Sequence, residues 1–236
     1  MTSRHIRTAG ALTLLTASVY LTRRQPWLRT GATGEEVRRT LPGDEVIPDT
    51  TLQATRARTI DAPVDDVWPW LAQMGHGRAG WYSIDRWDNA GEPSADELIP
   101  ELSRLEVGDA IDDATGPFSF TVARVEPPRV LVFRATIHPI TGRPLDPADL
   151  DAGATGYARA FLDFSWAFVL EPVDRRRTRL LIRVRYHHQR SGWVRTMVHG
   201  YELVDAVFTR RMLEGIAHRC EGRATTPPEP ARLTAR

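Results

Sequence analysis

Few side chains in this sequence could do chemistry, and they are scattered along it. His76, Asp85, Tyr186 and Tyr201 are the candidates for general acid–base work, because an apolar cavity shifts the pKa of an imidazole, carboxyl or phenol placed inside it. Nothing in the sequence alone fixes which of them acts, so the catalytic set is unknown. All 31 Lys-plus-Arg residues are arginine. Schiff-base chemistry needs a lysine amine, so pyridoxal-phosphate and class I aldolase mechanisms are excluded. No nucleophile-elbow motif surrounds any serine. His187 and His188 are adjacent, so in a strand they face opposite sides. His76, His138 and His199 stand alone, without the close spacing of zinc ligands. The reading is therefore no metal and no cofactor. The lone Cys220 excludes an internal disulfide, and a reducing, cytoplasmic setting is the simpler reading.

One aromatic run stands out. Trp81, Tyr82, Asp85, Arg86 and Trp87 follow the glycine-broken turn Gly75–Gly80. Tyr and Trp offer an apolar body with a polar tip, which suits a pocket mouth. Asp85 and Arg86 could orient a polar ligand group there, or form a surface pair on a purely structural lid.

The elements that would position these residues follow from periodicity. Thr33 to Glu36 reads as a capping box opening a short helix that stops before Pro42-Gly43. A polar connector runs to Thr51, and Thr51 to Ile60 reads as a strand. Pro63 then opens a helix whose stripe is Val64, Val67, Trp68 and Leu71, leaving Trp70 to face a neighbouring element. From Asp109 the period changes to two. Phe118, Phe120 and Val122 share a face, as do Leu131, Phe133 and Ala135. Leu162, Phe164, Trp166, Phe168 and Leu170 are expected to be buried, with Asp163 and Ser165 exposed. Leu180, Ile182, Val184 and Tyr186 alternate with Arg179, Arg183 and Arg185, which predicts one greasy face and one arginine-studded solvent face. Arg175 to Arg177 read as a solvated hairpin turn. Val194 to Arg219 reads as one long helix, with Val194, Met197, Tyr201, Val204, Phe208, Met212 and Ile216 as its buried stripe.

Residues 1–30 carry the uncharged run Thr8 to Thr22 between arginines. It is shorter than the roughly 20 apolar residues of a full span. A short membrane anchor and a helix lying against the domain are both open readings. Residues 31–50 form a helical leader, 51–222 the main domain, and 223–236 a Pro-rich tail expected to be disordered. A net charge of +1, with no known nucleic-acid motif, argues against nucleic acid as a partner. The oligomeric state is not written in the sequence.

The order is strand, helices, several antiparallel strands, long C-terminal helix. That order, and the words IDAPVDDVWPWLAQMG (Ile60–Gly75), GWYSIDRWDNAG (Gly80–Gly91), ELSRLEVGDAI (Glu101–Ile111), WAFVLEP (Trp166–Pro172) and TRLLIRVR (Thr178–Arg185), resemble the SRPBCC superfamily over residues 31–222. This is the START-like, helix-grip group that includes polyketide cyclase-like and lipid-transfer proteins. The leader GATGEEVRRTLPGDE resembles that of actinobacterial members. The resemblance implies an α+β helix-grip fold: a curved antiparallel sheet wrapped around the C-terminal helix, with a hydrophobic cavity between them. It implies binding of an apolar or amphipathic small molecule, lipid or polyketide-like, with a cyclase/dehydrase-type enzyme as the alternative. The expected pocket residues are Trp81, Tyr82, Asp85, Phe120, Phe133, Phe164, Trp166, Phe168, Ile182, Tyr186, Tyr201 and Phe208. Arg58 departs from the apolar residue expected in the first strand.

Overall fold

A computed structural model describes residues 25–114 and 116–222. The apolar run Thr8–Thr22 and the tail 223–236 lie outside them, and with them the readings of an anchor and a disordered tail. Among the described residues no helix is long and apolar enough to cross a membrane.

Six strands form one antiparallel sheet. They are β1 (Leu52–Ile60), β2 (Ala110–Asp112), β3 (Ser119–Glu126), β4 (Val130–Ile137), β5 (Leu162–Pro172) and β6 (Thr178–His188), in the spatial order β1-β6-β5-β4-β3-β2. The helices are α1 (Gly34–Arg38), α2 (Val64–Gln73), α3 (Asp85–Asp88) and α4 (Gly192–Cys220). The sheet curves around α4, a helix-grip α+β fold. Short turns join β3 to β4 and β5 to β6, so those pairs are hairpins, and the first strand closes the far edge by pairing with the last. The register sets Phe168 opposite Ile182, Trp166 opposite Val184 and Phe164 opposite Tyr186, so the alternating aromatic face is continuous across β5 and β6.

The other face is not a solvent face, which corrects the expectation. Arg183 is only 1% exposed. Its guanidinium donates to Thr55 Oγ1 (3.0 Å), the Arg39 carbonyl (2.9 Å), Asp44 Oδ2 (2.7 Å) and the Glu36 carbonyl (2.6 Å). Arg185 reaches the Ile47 carbonyl, and Arg179 grips Glu36 at 2.8 Å and the Gly31 carbonyl at 2.7 Å. The leader is thus strapped across the outer face by the side chains that strand alternation places there. Leu41 packs with Ala57, Val169 and Leu181, and Val46 lies against Val130, Val132 and Ala167. The capping box is present: Glu36 N–H donates to Thr33 Oγ1, and Thr33 N–H donates to Glu36 Oε2. Glu36 therefore serves the cap and Arg179 together, and the Arg179 hydrogen bond is the main reason its pKa is lowered to about 2.

The same covering explains Asp163 and Ser165, expected exposed and found buried. Asp163 accepts from Arg134 (2.9 and 2.8 Å) and from Thr136 Oγ1 (2.8 Å). The strand register itself holds, since Leu162 and Phe168 are buried on the inner side. In α2 the roles of the two tryptophans are reversed. Trp70 is buried, edge-on to Tyr82 at 5.9 Å, whereas Trp68 is only partly buried. The helix rolls so that Val67, Trp70, Leu71 and Met74 meet the core.

Replacing Arg183 by Ala strips Asp44 of its closest buried partner and frees the Arg39 and Glu36 carbonyls. Leaving one member of a buried pair uncompensated costs about 3–5 kcal/mol. Urea denaturation of R183A should show a loss of that size; a loss under about 1 kcal/mol, the value of an exposed pair, would mean the leader is not bound to the sheet through this residue.

Candidate functional site

The concave face is built of aromatic rings in two states. Phe133 and Phe168 are fully buried, and Trp81 wedges between Phe120 (5.7 Å), Phe133 (6.1 Å) and Trp166 (5.4 Å), centroid to centroid. Trp81, Phe120, Phe133 and Phe168 fill one end of the helix–sheet interior and behave as plain core, with Trp166 at their border. Phe118, Phe164 and Trp166 also point inward but stay half-buried. They lie where the two inner apolar clusters meet, one around Phe120, Phe133 and Met212, the other around Leu162, Val184 and Val198. Their part-exposed rings form an aromatic seam between the clusters, the candidate groove. Phe164 stacks on Tyr186 (5.9 Å) and stands edge-on to Phe120 (5.8 Å). The Trp166 indole Nε1 is shielded from solvent and has no hydrogen-bond partner among the described residues. Indole N–H groups that leave water nearly always find an acceptor, so this donor is an unsatisfied group of the interior.

The Trp81–Trp87 run is a fixed lid. Trp81 and Tyr82 are 2% and 3% exposed, in the core instead of at a mouth. Tyr82 takes φ +58°, its amide donates to Ser94 Oγ, and its hydroxyl accepts from Gln73 Nε2 at 2.9 Å. The Arg219 guanidinium covers its ring at 4.7 Å. Burial pushes the Tyr82 phenol well above its usual range. The Asp85 carboxylate accepts from the Ser94 amide (3.0 Å) and hydroxyl (2.5 Å). A Cβ at Gly215 would strike the Tyr82 carbonyl, so glycine lets α4 approach this turn. His76 is tied to Asn89. Cys220, at the end of α4, has its thiol pushed up to about 12 by burial, which leaves it unreactive.

The long helix is rolled relative to the stripe read from the sequence. Its buried residues are Val194, Val198, Glu202, Thr209, Met212, Leu213, Ile216 and Ala217. Tyr201 and Val204 are 42% and 56% exposed, and Phe208 is half-buried against Trp87. Tyr201 does not point into the interior; its hydroxyl donates to the Pro139 carbonyl at 2.7 Å.

The reason lies in a residue that the sequence did not flag. Arg56, on the inner face of β1, is 0% exposed. Its Nη1 meets Asp205 Oδ2 at 2.7 Å, its Nη2 meets the Glu202 carboxylate, and its Nε donates to the Trp27 carbonyl at 3.0 Å. Thr209 Oγ1 also donates to Asp205. Glu202 is fully buried, and its Oε2 has no partner of normal geometry. Burial, then the neighbouring Asp205, push its pKa up to about 7, and burial raises Asp205 as well. Tyr186 faces the same pair and is raised for the same reasons. Thus Tyr186 links the aromatic groove, through Phe164, to a buried acidic pair. The signal available in the sequence was the alternation in β1, which puts Arg56 and Arg58 on its inner side with Ala54 and Ile60.

Elsewhere, a cleft of about 320 Å³ lies in the β4–β5 connection, lined by residues that include Arg143, Asp146 and Arg159. None of the expected site residues lines it.

No family model and no curated protein matches this chain. Among solved structures it is similar to a protein from Arthrobacter aurescens, 19% identical over 83% of this chain and 98% of that one, with TM-score 0.45. A protein from Thermobifida fusca is 14% identical over 73% and 95%, TM-score 0.42. CalU16 from Micromonospora echinospora is 19% identical over 73% and 85%, TM-score 0.32. Likeness at this level carries no argument about activity.

Because the folded-state pKa of Glu202 stands above that of a free glutamate, the folded state holds its proton more tightly than the unfolded chain does. The resulting stabilisation is fully present below about pH 4.5 and is lost as pH rises toward 7. Glu202→Gln, which mimics the protonated form, should flatten the fall in melting temperature between those pH values. A wild-type profile that rises with pH there, unaltered by E202Q, would refute the assignment.

Proposed function

We propose that the protein binds an apolar or amphipathic small molecule, of the lipid or polyketide-like kind, in the groove walled by Phe118, Phe164 and Trp166. The observation that carries this reading is the state of Trp166. Its ring is half-buried on a concave face whose neighbours are closed, and its shielded N–H lacks an acceptor. A flat ligand would stack on the aromatic wall, and a turn of the Trp166 ring would bring its N–H to a ligand oxygen, which gives both burial and orientation. The fully packed rings Trp81, Phe133 and Phe168 support the wall from behind.

A second reading, acid–base catalysis of the cyclase or dehydrase kind in the same groove, is favoured by one observation. Glu202 sits beside Tyr186 with its pKa near neutrality, where a general acid or base works best. On this reading E202Q would abolish turnover and leave binding intact.

Titration with the fluorescent probe 1-anilinonaphthalene-8-sulfonate tests the binding reading. Saturable, blue-shifted emission is expected, weakened about tenfold in Trp166→Ala, which corresponds to about 1.4 kcal/mol. The variant Val204→Asp, on the opposite side of α4, should bind the dye as wild type does. Equal affinity in W166A and wild type would count against the groove.

A further inference from the structure

Among the described residues, most of the exposed large apolar side chains gather on and beside α4. Five lie on α4: Trp193 (40%), Tyr201 (42%), Leu203 (48%), Val204 (56%) and Val207 (53%). Trp87, 61% exposed, packs on Phe208 of the same helix, and Tyr157, 55% exposed, stacks on Trp193 at 6.1 Å. Singly exposed hydrophobics are ordinary, but a contiguous strip marks a contact surface. The roll of α4 produces this strip. Because Glu202 and Asp205 turn inward to Arg56, the helix surface above them keeps its apolar residues and loses its acids. The outward charges at the C-terminal end of the strip are Arg210, Arg211 and Glu214, and the last is shared by both arginines at 3.1 and 3.3 Å. The strip is therefore apolar at its centre, basic at its C-terminal end, and edged with Trp and Tyr.

From this arrangement we infer that the outer face of α4 is a docking surface for an anionic lipid bilayer. Valine and leucine would enter the acyl boundary, Trp193, Tyr157 and Trp87 would sit at headgroup level, and the arginines would meet lipid phosphates. The surface is separate from the groove, so dye binding at Trp166 and bilayer binding at α4 fail independently.

The test is flotation of the full chain with vesicles of phosphatidylcholine alone and of phosphatidylcholine doped with phosphatidylglycerol. Binding should favour the anionic vesicles and weaken with added salt. The double variant Val204→Asp/Val207→Asp should lose the preference. Arg210→Gln/Arg211→Gln, which leaves the apolar strip whole, should reduce anionic binding about 25-fold, since each basic residue near such a surface contributes about a factor of five. Circular dichroism melting serves as the folding control for both variants. Unchanged partition in both would place any bilayer contact elsewhere in the chain and overturn the inference. So would sedimentation velocity showing a wild-type dimer that the Asp variant dissociates while vesicle binding stays the same.

Discussion

A buried guanidinium has to be satisfied on every side, and Arg56 sets the terms for the rest of this molecule. It sits on β1 beneath α4, and a charge there is tolerable only with its partners in place. Glu202 and Asp205 supply them from the helix, and Trp27 supplies a carbonyl from the segment before the leader. Three pieces far apart in sequence are thereby fixed to one point. The roll of α4 follows from it, and so does the identity of each helix face. With Glu202 and Asp205 inward, Thr209 and Met212 follow one and two turns on, while Leu203 and Val207 must face out.

The outer face of the sheet repeats this logic with different partners. Arg179, Arg183 and Arg185 stand on alternate positions of β6, and each holds a different part of the leader. A planar fork with five donors can serve several backbone carbonyls at once, which an ammonium point charge does less well. The arginine-only composition therefore has a structural use here. Charge on a strand meant a covered face, and the cover was the segment read as a connector.

The strands were legible because alternation is local: each residue needs only its two neighbours to declare its side. Thus β5 and β6 were placed correctly, as was the Thr33–Glu36 cap, whose partners are three residues apart. The roll of α4 was not legible. Tyr201, Val204 and Phe208 form a better apolar stripe than Val198, Glu202, Asp205 and Thr209, and only Arg56, about 150 positions earlier, reverses the choice. The pocket list suffered likewise. Phe120, Phe133, Phe164, Trp166 and Phe168 all face inward as alternation requires, but which of them close against Trp81 and which border an opening depends on where the lid lands. Asp85 and Tyr82 looked available because Ser94 and Gln73, which hold them, carry no motif.

The pairing of β1 with β6 alone has a consequence for how the chain comes into being. Among the described residues the first strand to leave the ribosome has no sheet partner until Thr178–His188 has followed it, more than a hundred residues later. Throughout that interval its row of amides and carbonyls is open to any other extended segment, which is the hazard of an unpaired edge. Arg56 and Arg58 lie within this strand, and charges so placed resist strand-to-strand self-association. The residue that anchors the finished helix thus also guards the unfinished sheet, and the domain can close only once nearly all of it has been made.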